Sequence, residues 1–147
     1  MRAISTDRIR DYVFDWERML SFDGNTAPYL QYAHARICSI FRKAGVERSA
    51  VRDRPIVLGD LREHALALML LGFGPAVADT LDKYSPHRLC TYLYDVSTTF
   101  TAFYEHCPVL KGTDERTRDS RLALCDLTAR VLAQGLQLLG IETPEKM

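Results

Sequence analysis

Residues 25–45, with the sequence NTAPYLQYAHARICSIFRKAG, decide the fold class of this chain. Thr26 stands at a helix start with Pro28 in the first turn, and Gly45 is a typical helix stop. Between them, apolar residues recur every three or four positions, which places them on one side of a helix. These residues are Leu30, Ala33, Ile37, Ile40, Phe41 and Ala44. The stretch predicts an amphipathic helix whose apolar side faces a core.

The same periodicity continues along the chain, and no long segment alternates with the period of two that marks a strand. We expect an all-α fold, a helical bundle of about five to six helices in a single domain over residues 1–147. Residues 1–22 are expected to form an N-terminal lead-in helix. The other predicted helices cover residues 60–71, 75–84, 86–106 and 114–139, after a polar connector at residues 46–55.

The apolar side of each predicted helix supplies a core. Ser85 is expected to cap the helix that begins at Pro86. In the lead-in helix, Val13 and Leu20 are expected to be buried together with Trp16. The side chains predicted to be mostly buried are Trp16, Leu30, Ile37, Leu89, Leu93, Leu124 and Leu138.

Composition excludes several classes of protein. Nineteen basic residues balance nineteen acidic ones, so polyanion binding would require a local patch of charge. The four cysteines are widely spaced without a CxxC pair, which favours buried thiols in a reduced, cytoplasmic protein. The charged start has no apolar segment typical of a signal peptide. The run at residues 65–78 is interrupted by glycine and proline, so no membrane span is expected.

A second stripe lies beside the apolar side of the first helix. Tyr29, Tyr32, Arg36, Ser39 and Lys43 follow one another about 110° away around the helix axis. Aromatic rings beside cations suit unpaired bases, which stack on tyrosine while arginine meets phosphates. Alternatively, the tyrosines border the core and the cations are merely hydrated. The pattern alone leaves both interpretations open.

Other candidate sites fail on spacing. The GFGPAV segment follows a helix rather than a strand, which favours a helix–helix corner over a phosphate loop. His87 and Cys90, with His106 and Cys107, fit no zinc module. A Cys–His nucleophile would need an orienting group and an oxyanion site, and neither is indicated. We therefore expect no metal, no cofactor and no catalysis within this chain.

Three segments carry a resemblance to a known family. They are SFDGNTAPYLQYAHARICSIFRKAG at residues 21–45, PHRLCTYLYDVSTTFTAFYEHCPVL at residues 86–110, and RLALCDLTARVLAQGLQLLGIETPEKM at residues 121–147. In this order they resemble the anticodon-binding domain of arginyl-tRNA synthetases, the helical DALR domain. The resemblance covers the chain from about Asp11 to Met147. The fold of that family agrees with the bundle predicted from periodicity.

The resemblance implies recognition of the anticodon loop of arginine tRNA. In the family, a separate catalytic domain with HIGH-like and KMSK-like motifs activates arginine, and neither motif occurs here. ATP and magnesium would belong to that catalytic domain, which would be a partner if the chain is part of a longer one. A free-standing paralogue that binds tRNA or a protein partner is the alternative. A third possibility is a helical interaction module that no longer binds RNA.

The resemblance also implies roles for particular residues. Positions 29, 32 and 36 match those that help form a pocket for an anticodon base, and the loop before them packs near the anticodon. The residues implied in tRNA binding are Tyr29, Tyr32, Arg36, Tyr104, Met147, Gly24 and Asn25. Two positions depart from the family pattern. Lys146 stands where arginine is common, and Pro108 stands where some members carry a large aromatic residue.

Overall fold

The computed structural model describes residues 6–7, 16–17, 24–111 and 114–147. Within these residues the chain forms helices and no strand, so the all-α prediction is confirmed. The helices are α1 (Ala27–Ala44), α2 (Arg48–Val51), α3 (Leu61–Leu71), α4 (Phe73–Asp82), α5 (Pro86–His106) and α6 (Glu115–Leu138). The predicted lead-in helix, with Val13 and Leu20, lies almost wholly outside the described residues.

Local chemistry explains where the main helices begin and end. The side chain of Thr26 accepts a hydrogen bond from the backbone N–H of Tyr29, and Gly45 ends α1 with a φ of 64°. Asp60 and Glu63 form a capping box at the start of α3. Asp114 caps α6 through the N–H of Thr117.

Three details of the predicted elements are wrong. Ser85 precedes α5, but its hydroxyl donates to the carbonyl of Lys83 and does not cap the helix. The break between α3 and α4 is the single residue Gly72, because Pro75 is tolerated in the first turn, where backbone N–H groups have no partner within the helix. The polar connector contains the short helix α2, whose Val51 is buried.

Helix α5 lies at the centre of the bundle and contacts α1, α3, α4 and α6. Helix α1 packs against α6 and α5, so its apolar side is covered as predicted. Of the predicted core, five residues are buried: Leu30, Ile37, Leu89, Leu93 and Leu124.

Two core predictions are wrong, because Trp16 is 67% exposed and Leu138 is 54% exposed. Leu138 is the last residue of α6 and lines an apolar cavity between α4, the start of α5 and the end of α6. The periodic apolar residues of a helix can continue to its last residue, where neighbouring helices no longer cover the side chain. The predicted helix that contains Trp16 is short, so its apolar periodicity does not determine which of its sides packs against the core.

Buried carboxylates tie α6 to its neighbours. The fully buried Asp126 accepts bonds from Arg48 Nε and Arg130 Nε, each at 2.8 Å. Glu63 accepts a bond from Arg121 Nε at 2.6 Å. Burial would raise the pKa of Glu63, but hydrogen bonds from Arg121 and two backbone N–H groups outweigh it and lower that pKa. These ion pairs connect α2 and α3 to α6.

The apolar run through α3 and α4 is longer than the sequence indicated. Leu61–Asp82 covers 22 residues, and its most apolar window of 18 residues has a mean hydropathy of 1.4 and is 11% buried. By length and composition alone it could cross a membrane, contrary to the expectation from residues 65–78. In the structure, Gly72 divides the run into two helices that both pack on α5.

Candidate nucleic-acid interface

One open cavity brings together four of the residues singled out in the sequence. Tyr32 and Arg36 come from α1, Tyr104 comes from α5, and Met147 comes from the C-terminal segment. The cavity has a volume of about 360 Å³, and its other lining residues are Ala35, Ser39, Ile40, Arg42 and Lys43. Because Tyr32 and Met147 lie 115 positions apart in the sequence, only the tertiary fold creates this site.

The ring of Tyr104 is held in place before any ligand arrives. Its ring stacks on Phe100 with centroids 6.0 Å apart and an interplanar angle of 20°, and Phe100 is itself buried. The guanidinium of Arg36 lies 4.8 Å from the centre of the Tyr104 ring. Such a cation–π contact orders both side chains. The cavity therefore presents an aromatic surface beside a fixed positive charge.

Tyr32 supplies a second aromatic surface. Its side chain is 50% exposed, which is unusual for a ring of this size on a helix whose other side is core. It lies one helical turn from Arg36 on the same side of α1. An unpaired base could stack on Tyr32 while its polar edge meets Arg36.

Three cations line the cavity without a carboxylate partner. Arg36, Arg42 and Lys43 take part in none of the ion pairs formed within residues 24–111 and 114–147. Arg42 instead donates to a backbone carbonyl, that of Glu145, at 3.0 Å. A positive patch therefore exists on a protein whose formal net charge is zero.

The C-terminal segment lies against α1 through three side chains that no pattern in the sequence singled out. Gln31 Nε2 donates to the carbonyl of Glu142 at 2.7 Å, and Arg42 donates to that of Glu145. Between them, His34 Nδ1 lies 3.2 Å from the carbonyl of Pro144. A carbonyl only accepts, so His34 carries its proton on Nδ1. We call Gln31, His34 and Arg42 the tail clamp.

His34 is held neutral by its surroundings. Burial lowers its pKa below the usual value, although the hydrogen bond to Pro144 opposes that shift. The charge of Arg48 also lowers this pKa, and that of Glu145 raises it. The sequence does contain a signal for the clamp, since residues 31, 34, 38 and 42 recur on one side of α1. Their partners are backbone carbonyls, which no side-chain pattern reveals.

Three other residues implied in tRNA binding do not line the cavity. Tyr29 packs against Tyr94 with ring centroids 5.4 Å apart and is partly buried at the edge of the core. Gly24 is exposed in the loop before α1 with a φ of 74°, and its carbonyl accepts from the N–H of Thr26. Asn25 Oδ1 is buried without a hydrogen-bond partner among the described residues.

The four cysteines and the acidic residues that the structure describes form no second site. All four cysteines are free and buried, as the sequence predicted. Burial raises the pKa of Cys90 to about 11 and also raises that of Cys125, so both remain thiols. In the part of the chain that the structure describes, no group of three or more His, Cys, Asp and Glu residues could hold a metal ion.

Comparisons with known proteins agree on one family. The sequence model of the DALR anticodon binding domain matches residues 30–147. An arginine–tRNA ligase of Klebsiella pneumoniae (strain 342) is 51% identical over 144 residues, which cover 98% of this chain and 25% of that protein. An arginine–tRNA ligase of Cellvibrio japonicus is 57% identical over 141 residues, which cover 95% and 24%.

Solved structures show the same similarity. The arginyl-tRNA synthetase of Plasmodium falciparum matches with a TM-score of 0.88 at 37% identity, covering 98% of this chain and 25% of that one. The Thermus thermophilus arginyl-tRNA synthetase matches with a TM-score of 0.78 at 43% identity, covering 87% and 22%. The chain thus spans about a quarter of the length of the relatives it matches.

Proposed function

The chain belongs to the DALR anticodon-binding domain family, and on that premise we propose that it binds the anticodon loop of an arginine tRNA. The cavity lined by Tyr32, Arg36, Tyr104 and Met147 carries this proposal. It joins two aromatic rings to unpaired cations, which is the chemistry that recognises an unstacked base and its phosphates.

In the proposed complex, one anticodon base leaves the loop stack and enters the cavity. Its face stacks on Tyr32 or Tyr104, and Arg36 donates to its edge or to a neighbouring phosphate. Lys43 lies on the same side and contacts the backbone of the loop. Aromatic stacking contributes about 1–3 kcal/mol for each base, so the cavity supplies the part of the binding that depends on unpaired nucleotides.

Electrostatics limits the affinity of the isolated chain. Two phosphate contacts would give a slope of log K against log salt between about −1.4 and −1.8. A protein that wraps a whole tRNA has a much steeper slope. We expect weak, moderately salt-dependent binding by this chain alone.

We assign the other activities of the relatives to the portions of those proteins that this sequence does not cover. We propose that the chain acts as the anticodon-binding portion of an arginine–tRNA ligase and needs a cytoplasmic catalytic domain for activity. Neither nucleotide-binding motif of that domain occurs here. The chain alone is expected to show no arginine-dependent exchange of pyrophosphate with ATP, even with magnesium. Exchange by the purified chain would refute this assignment.

The test of RNA binding uses a fluorescently labelled hairpin with the anticodon stem and loop of an arginine tRNA. A control hairpin has the same stem, closed by a short loop without the anticodon bases. Anisotropy titrations should give tighter binding to the first hairpin, and the difference should vanish in Tyr32→Ala. Equal affinity for both hairpins, or no binding to either, would contradict the proposal.

A protein partner is a second candidate, because α3 presents leucines on the side opposite its buried residues. Leu61, Leu68 and Leu71 are 84%, 70% and 77% exposed. In a longer chain this leucine face would pack against the rest of the synthetase. Leu68→Glu should then reduce self-association of the isolated chain in sedimentation experiments without changing RNA binding. A wild-type chain that is already monomeric at high concentration would count against this surface.

A further inference from the structure

We propose that the tail clamp is a positioning device for RNA recognition: it holds residues 141–147 against α1 so that Met147 completes the base pocket. This inference rests on the proposed function. It assigns to Gln31, His34 and Arg42 a role distinct from contact with a base. Of the three, only Arg42 also lines the cavity.

The path of the chain shows how the tail is directed to α1. Helix α6 ends at Leu138, and Gly140 reverses the backbone with a φ of 72°. The N–H of Gly140 bonds to the carbonyl of Gln137, and the N–H of Ile141 bonds to that of Leu136. These bonds form a helix-ending turn of the kind that favours glycine. Beyond Ile141, which packs against the core, the segment reaches α1.

The clamp holds backbone rather than side chains. Its acceptors are the carbonyls of residues 142, 144 and 145, and its donors lie along one side of α1. Pro144 restricts the backbone of the segment, which lowers the entropy lost when it docks. The register of these bonds fixes how far along α1 the chain end reaches. That register brings Met147 to the cavity.

Little else holds the end of the segment. Glu142, Glu145, Lys146 and Met147 are all exposed, and the Met147 side chain keeps 60% of its accessible surface. Beyond Ile141 and the half-buried Thr143 and Pro144, burial of apolar surface therefore contributes little to docking. The hydrogen bonds of the clamp are the main interactions that distinguish the docked from the released segment. Weakening them should release the tail without unfolding the bundle.

The decisive variant is Gln31→Ala combined with Arg42→Ala. Its matched control is Gln134→Ala with Arg116→Ala, which removes the same residue types from exposed positions of α6 that do not line the cavity. Both pairs are compared in the full chain and in a chain lacking Met147. The single variant Gln31→Ala is included because Gln31 is uncharged and does not line the cavity, so its effect cannot arise from lost RNA contact.

Two measurements are made on each variant. Titration with the anticodon hairpin gives RNA affinity, and the ¹³C-methyl signal of Met147 reports whether the tail is docked in the absence of RNA. We expect the clamp pair to release the tail and to weaken RNA binding about threefold to tenfold, by no more than deletion of Met147 does. In the chain lacking Met147, the clamp pair should have almost no further effect. The control pair should leave the Met147 signal unchanged.

Three results would overturn the inference. One is a Met147 signal that is unchanged in the clamp pair, and another is a released tail with full RNA affinity. The third is an equal loss of RNA affinity with and without Met147, which would make Arg42 a direct RNA contact. Failure of the unaltered chain to bind the hairpin refutes the proposed function itself, and with it the role of the clamp in RNA binding. The methyl signal then still tells whether the clamp holds the tail.

Discussion

Two groups of arginines in this protein differ in what surrounds them. Arg48, Arg121 and Arg130 each bond a carboxylate that is almost fully buried, Asp126 or Glu63. Arg36 and Arg42, by contrast, contact an aromatic ring and a backbone carbonyl. The first group neutralises charge inside the bundle, whereas the second leaves positive charge at an open cavity.

In this chain with no net charge, the partner of each arginine separates those that stabilise the fold from those that are available to a ligand. A cation whose charge is already balanced by a buried carboxylate has little left for a ligand. A cation without such a partner keeps its charge available for phosphates and bases. Substitutions in the first group should therefore change stability, and those in the second should change RNA binding.

The largest expected effect is on stability. Asp126→Ala removes the carboxylate that joins Arg48 to Arg130 and leaves both cations near the bundle interior. We expect a loss of about 3 kcal/mol in the free energy of unfolding, moderated by the partial exposure of both arginines. Urea denaturation measures it. Hairpin affinity, measured under conditions in which the variant is folded, should be unchanged. A large loss of affinity would contradict a purely structural role for Asp126.

The next effect separates two tyrosines that share a stripe in the sequence. Tyr32→Ala should weaken hairpin binding by about 1–3 kcal/mol with little change in melting temperature, because its ring faces the cavity. Tyr29→Ala should chiefly lower the melting temperature, because its ring packs on Tyr94. Anisotropy and thermal denaturation of both variants test this. Loss of affinity in Tyr29→Ala without loss of stability would show that Tyr29 contacts the RNA directly.

A smaller effect is expected at Arg36. Arg36→Ala should weaken hairpin binding by about 1 kcal/mol, since it removes both a charge and the contact with Tyr104. Arg36→Lys keeps the charge but loses the planar group that stacks and bonds in two directions. Lysine should therefore recover only part of the affinity. Full recovery in Arg36→Lys would show that charge alone matters at this position.

The smallest effect is a pH dependence of stability from His34. Its folded pKa is lowered, so below the ordinary value near 6.5 the unfolded chain binds a proton that the folded chain does not. Stability should fall as pH drops below that value. The lowered pKa values of Glu63 and Asp114 act only in more acidic solution. Urea denaturation of His34→Asn between pH 5 and 7 should show a flatter dependence, and an unchanged slope would contradict this.

Sequence periodicity and end signals alone determined most of the helices. The start of α1 at Thr26, its stop at Gly45 and the start of α5 at Pro86 follow from the chemistry of single residues. Buried leucines such as Leu30 and Leu93 follow from spacing. These features are local, because neighbours within one helical turn decide them. The resemblance to a family added Tyr32, Arg36, Tyr104 and Met147, which periodicity alone left undecided.

The tertiary structure alone decided which members of the stripe reach a ligand. Tyr29 and Tyr32 are three residues apart, yet one packs on Tyr94 and the other lines the cavity, because the helices packed beside α1 cover only one of them. The tail clamp depends on bonds between residues more than 100 positions apart in the sequence. Its acceptors are backbone carbonyls, which every residue has. Such contacts leave no pattern in a single sequence, and only folding brings them together.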